Sequence, residues 1–101
     1  MPRPLVLLIL ALPAACASPA PEFFGARRSE ITLGGIDFVV FQKEGRAEVV
    51  RLGYLTRAER APVADLMVQA AEAVTSCRVR PGSVVTGLPG DTGEARMRLD
   101  C

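Results

Sequence analysis

Three groups of side chains in this 101-residue chain have types and spacing able to do chemistry. They are the cysteines Cys16, Cys77 and Cys101; the carboxylates Asp91, Glu94 and Asp100; and the arginines Arg78, Arg80, Arg96 and Arg98. The chain has no histidine, which removes Ser-His and Cys-His nucleophile pairs and the usual zinc sites. Neither a CxxC pair nor a phosphate-cradling glycine loop is present, and Gly34-Gly35 reads as turn chemistry. Cys77 falls at the end of a helical pattern, where the helix dipole raises a thiol pKa, the opposite of what a nucleophile needs. Paired carboxylates can act as acid and base, but Asp91, Glu94 and Asp100 have the ordinary look of surface residues. No catalytic residue, metal or cofactor is therefore expected, and the chain reads as a non-enzyme. The arginines share one parity and are candidates for binding an anion. If Cys77 pairs with Cys101, Arg78 falls opposite Asp100 and Arg80 opposite Arg98. Two opposed arginines repel, so either the strands take another register or an anion such as a lipid phosphate sits between them. The plainer account is a solvated face balanced by Glu94 and Asp100.

The elements that position these residues follow from periodicity. Residues 29–55 hold three strand-like runs. Gly34-Gly35 suits a two-residue type I′ turn, whose central positions both need positive φ. It pairs Leu33 with Ile36 and Ile31 with Phe38. A three-residue loop of Glu44, Gly45 and Arg46 would pair Val40 with Val50, Phe38 with Leu52 and Ile36 with Tyr54. One face then carries Ile31, Leu33, Ile36, Phe38, Val40, Val50, Leu52 and Tyr54, whereas a loop of two or four residues scatters that set. The other face holds Val39, Phe41 and Val49, read as good strand formers on a solvated face or as a patch where a partner docks.

Residues 62–76 form the clearest helix, with Val63, Leu66, Met67, Ala70, Val74 and Cys77 on one stripe and Asp65, Gln69 and Glu72 opposite. Thr56-x-x-Glu59 has capping-box spacing, but a helix begun there would carry Pro62 past its first turn, so the start is expected nearer residues 58–62. The final segment alternates strictly, with Ala95, Met97, Leu99 and Cys101 on one side and Glu94, Arg96, Arg98 and Asp100 on the other, as in a half-buried strand.

The N-terminus reads as an export signal: Arg3, the apolar run LVLLILAL over residues 5–12, then small residues. That run is far short of a membrane span of roughly 20 residues. Ala14-Ala15-Cys16 resembles the lipobox of bacterial lipoproteins, with Pro13 where that motif usually has Leu. The resemblance implies acylation of Cys16 as the first mature residue. The alternative is cleavage after Ala17 at Ala15-Cys16-Ala17, giving a soluble periplasmic protein. Either way Cys77 and Cys101 remain. In an oxidising compartment such a pair bridges, and both lie on the apolar side of their elements.

The organisation expected is a signal peptide over residues 1–15, a lipid anchor and flexible tether over 16–28, and one disulfide-closed domain over 29–101. Phe23 and Phe24 in the tether can dock on the domain or dip into the membrane interface. The fold class expected is α+β, an antiparallel sheet in β-β-β-α-β-β order with one helix across its apolar face. Gly90-Asp91-Thr92, the arginine-rich strand and the final Cys101 are similar to the ends of small exported alphaproteobacterial proteins, a likeness that implies no activity. A net charge of +1 gives no field for nucleic acid. The function expected is a periplasm-facing envelope module, membrane-bound through its lipid, that engages a protein partner or a second copy through Val39, Phe41 and Val49 or the exposed helix face. The alternative is a binder of phospholipid or lipopolysaccharide through Arg78, Arg80, Arg96 and Arg98.

Overall fold

Two tight turns with positive φ organise the first three strands. A computed structural model describes residues 17–87 and 93–101; the signal segment over 1–15, Cys16, Gly90, Asp91 and Thr92 lie outside the described residues. Strands β1 (Arg27–Leu33), β2 (Ile36–Lys43) and β3 (Arg46–Arg51) form a meander, followed by helix α1 (Val63–Thr75) and strands β4 (Arg78–Val79) and β5 (Glu94–Asp100). The sheet is antiparallel, in the order β1-β2-β3-β5-β4, and α1 packs on it, so the class is α+β as expected.

The first turn is as read from the sequence: Ile31 pairs with Phe38 and Leu33 with Ile36. The second corrects the expectation. Lys43 pairs with Arg46, Val40 with Val49, Val39 with Val50 and Phe38 with Arg51, leaving only Glu44 and Gly45 in the loop. Both have positive φ, 54° and 76°, which is the signature of a two-residue hairpin turn. The eight-residue face is therefore split. Ile31, Leu33, Ile36, Phe38 and Val40 stay beneath the helix with Ala47 and Val49, while Val50 and Leu52 join Val39 and Phe41 on the reverse. Tyr54 belongs to neither face and is 86% exposed.

The physical reason is that both faces are covered, so an apolar residue finds shelter on either parity. Residues 17–26, expected as a free tether, lie across the reverse face. A 3-10 turn, Pro21–Phe23, inserts Phe23 (1% exposed) against Val39 and Phe41, with Ala17, Ala20 and Ala26 packed around them. The Ala20 N–H donates to Glu48 Oε1 at 2.8 Å, and Lys43 Nζ donates to the Phe24 carbonyl at 2.8 Å. Phe23 thus docks, while Phe24 stays exposed. The domain begins well before residue 29, with this strap as part of its core.

On the helix side, Val63, Met67, Ala70 and Ala71 are buried at helical spacing, and the two alanines let α1 approach the sheet closely. The capping box is real, but it serves a separate turn: Thr56 N–H donates to Glu59 Oε1 at 2.8 Å and Glu59 N–H donates to Thr56 Oγ1 at 3.3 Å. That box opens a 3-10 turn, Ala58–Arg60, and Pro62 then sits at the N-cap of α1, where its missing N–H costs nothing. Cys77 and Cys101 form a disulfide, Cα to Cα 4.4 Å, that ties the end of β5 to the end of the helix.

Candidate functional site

The alternation of β5 is realised: Ala95, Met97 and Leu99 are buried under α1, and Glu94, Arg96, Arg98 and Asp100 face the other way. The register across β4 and β5 places Arg78 opposite Asp100 and Val79 opposite Leu99. The next pair is Arg80 and Arg98, joined by Arg80 N–H donating to the Arg98 carbonyl at 2.9 Å. The like-charge opposition is relieved sideways. Arg80 turns to Asp100, with Nε at 3.1 Å and Nη2 at 2.8 Å from the same oxygen. This pairing holds the Asp100 carboxyl below the ordinary carboxylate value and raises the guanidinium.

The chain leaves β4 at a turn over residues 80–83 and returns to β5 through a bridge between Val85 and Arg96. Ser83 fills the gap in the ladder. Its hydroxyl donates to the Arg80 carbonyl at 2.7 Å and accepts from Arg98 N–H at 3.1 Å.

The other expected arginines find different surroundings. Arg78 is largely exposed and sits 3.9 Å from Glu72. Arg96 is clamped between Glu22 of the strap and Glu94 of its own strand, each at 3.0 Å. The Glu94 contact is an ion pair without an aligned hydrogen bond. Glu22 is held below its ordinary value by a backbone hydrogen bond and by Arg96. Arg98 has no ion pair among the described residues. The four arginines do not act as one face, because three already have acids.

The residue missed from the sequence is Arg46. The shorter turn makes it the first residue of β3, paired with Lys43; across β3 and β5 it lies directly opposite Arg98, and its guanidinium carbon lies over the Phe23 ring, 5.3 Å from the centroid. A two-residue Glu44-Gly45 turn places Arg46 in the strand, but its neighbours Arg98 and Phe23 come from long-range packing that no local spacing signals. Arg46, Arg96 and Arg98 line one open cleft of about 230 Å³ with Glu22, Phe23, Ser83, Val85 and Met97. Three arginines therefore meet one carboxylate, and that carboxylate is already taken by Arg96.

No family model, curated protein or solved structure matches this chain. What the cleft can do rests on its own geometry: it can hold an anion against a partly apolar wall.

The apolar patch expected at Val39, Phe41 and Val49 is not a surface. Val39 and Phe41 lie under the strap, and Val49 lies under the helix on the opposite face. Among the described residues no group of three acidic, cysteine or histidine side chains could hold a metal, and no helix is long and apolar enough to cross a membrane.

Proposed function

We propose that this chain is a small exported envelope lipoprotein, anchored through Cys16, whose domain serves as a non-enzymatic structural or protein-interaction module facing the periplasm. The observation that carries the reading is the Cys77–Cys101 bond. A small domain closed by a disulfide suits an oxidising compartment, and the bond uses two of the three cysteines in the sequence, with Cys16 the one in the lipobox-like motif. The apolar run before Cys16 and the lipobox-like Ala14-Ala15-Cys16 support export and acylation.

The strap favours cleavage before Cys16 over cleavage after Ala17. Ala17 packs in the cluster of Phe23, Val39 and Phe41, and cleavage behind it would discard that contact. An anchor at Cys16 then adjoins the folded domain and holds it close to the bilayer. With Val39, Phe41 and Val49 buried, the surface left for a protein partner is the outer side of α1 at Asp65 and Gln69, both exposed.

Intact mass spectrometry of the chain purified from membranes tests this. A diacyl or triacyl mass on a chain beginning at Cys16, two mass units heavier after reduction, is the expected result. An unacylated chain beginning at Ser18 would replace the anchor with a soluble periplasmic protein, and an uncleaved amino terminus would overturn export itself.

A further inference from the structure

We infer that the cleft between the strap and β5 is a binding site for a phosphate group, held between Arg46 and Arg98. The inference stands on the geometry of the folded domain and does not depend on the anchor.

Arg46 and Arg98 are a directly opposed cross-strand pair. Like charges at such positions destabilise a sheet unless something sits between them. Elsewhere on this face the sequence resolves the same conflict internally. Arg80 takes Asp100, and Arg96 takes Glu22 and Glu94. For Arg46 and Arg98 the described residues supply no ion pair: Arg46 has an aromatic ring beneath it and feels Glu22 only through space, and Arg98 has nothing but its backbone contacts.

Arg46 is also positioned. Phe23 is buried, and its ring lies beneath the Arg46 guanidinium carbon at 5.3 Å, an attraction that favours this placement of the side chain. Two guanidinium forks present several N–H donors to tetrahedral oxygens, the geometry in which arginine exceeds lysine. The Ser83 hydroxyl is not a donor to the ligand, since its proton goes to the Arg80 carbonyl. Its part is to fix the Arg98 backbone at the rim.

Val85, half exposed, adds an apolar wall, which favours a phosphate carrying an organic substituent over the bare ion. A phospholipid headgroup and a soluble phosphate ester share that chemistry. If Cys16 is acylated, the headgroup source is near: Glu22 at the cleft is six residue steps along the chain from Cys16, a reach of at most about 22 Å.

The test follows the arginine side-chain N–H resonances by NMR on the processed chain. One arm is in neutral detergent, titrated with inorganic phosphate and glycerol phosphate. The other is in phosphatidylcholine bicelles with and without phosphatidylglycerol. Saturable shifts at Arg46 and Arg98 with Arg78 unmoved are expected in at least one arm. A response to the soluble ions alone assigns a phosphate ester, and a response to phosphatidylglycerol alone assigns a headgroup. Arg98→Gln, a change at an exposed side chain, should weaken binding about tenfold or more while Arg78→Gln leaves it unchanged. Absence of saturation in both arms overturns the site. So does an equal loss in the two variants, which would mean general charge attraction.

Discussion

The backbone N–H of Ala20 donates to the side chain of Glu48 across 28 residues of sequence, and Glu48 is the one buried charged residue among the described ones. This bond joins the strap to the middle strand of the sheet. Glu48 lies opposite Arg96 on β5, and Arg96 in turn reaches back to Glu22 of the strap. A segment with no periodicity of its own is thereby fixed at two points, with Phe23 buried next to the second.

Replacing Glu48 should loosen the strap before it unfolds the sheet. Glu48→Ala leaves the Ala20 N–H without its acceptor in a place water reaches poorly, at a cost of about 1–3 kcal/mol. Glu48→Gln retains an acceptor oxygen and should lose less. Denaturant unfolding gives the two values, and hydrogen exchange at Ala20 should speed up in the alanine variant first. Equal losses in both variants would assign the role to the charge beside Arg96 instead.

The same strap marks the boundary of what periodicity can tell. The helix stripe and the alternation of β5 each had one buried side to satisfy, and a parity argument finds them; the first hairpin was fixed by its Gly34-Gly35 turn, both residues at positive φ. The second hairpin did not, because Val39, Phe41, Val50 and Leu52 are sheltered by residues 17–26 on the reverse face. With both faces covered, parity no longer discriminates between a two- and a three-residue loop. Turn chemistry did not discriminate either: Gly45 tolerates its positive φ freely, but Glu44 accepts its own at some cost and carries no turn signal. Arg46 was lost with the register. The strap was invisible for a different reason: its Pro- and Ala-rich composition is shared by free tethers, and only Phe23 signalled a buried anchor.

Phe23 and Phe24 are adjacent and should behave as opposites. Phe23→Ala empties the space over Val39 and Phe41 and removes the platform under Arg46. A loss of about 3–5 kcal/mol is expected, with new binding of a hydrophobic dye. Phe24→Ala removes an exposed ring, while the Lys43 contact is to its backbone carbonyl and survives. Its effect should stay within about 0.5 kcal/mol. Thermal unfolding of the two variants side by side separates these outcomes.

Acid should weaken the fold through three identifiable carboxylates. Asp100 is lowered by Arg80, Glu22 by a backbone hydrogen bond and Arg96, and Glu59 by the backbone and hydroxyl of Thr56. Each binds its proton more weakly in the folded than in the unfolded chain, so the stabilisation is complete above the unfolded values near 4.5 for the glutamates and 3.8 for the aspartate. It declines as pH falls through the lower folded values. Carbon-detected NMR titration should show Asp100 moving back up in Arg80→Gln and Glu22 moving up in Arg96→Gln, with Glu59 unmoved in both. A fixed Asp100 in Arg80→Gln would mean the ion pair is not populated in solution.

The disulfide should matter more than the short strand it supports. Strand β4 has only two residues, Arg78 and Val79, too few to hold the end of β5 by ladder bonds alone. The bond closes a loop with a sequence separation of 24, which in the chain-entropy account stabilises the fold by about 3.5 kcal/mol. For a domain of this size that is a large fraction of the total. Replacing both cysteines, Cys77→Ser with Cys101→Ser, avoids a leftover thiol and should lower unfolding stability by about that amount. Backbone exchange should rise first at Arg80, whose N–H donates to the Arg98 carbonyl near the end of β5, while the Val79 N–H, held by Glu72 of the helix, and the β1–β2 hairpin stay protected. A loss below about 1 kcal/mol, against the entropic expectation, would show that the Arg80–Asp100 pair and the Ser83 bridge hold this corner without covalent help.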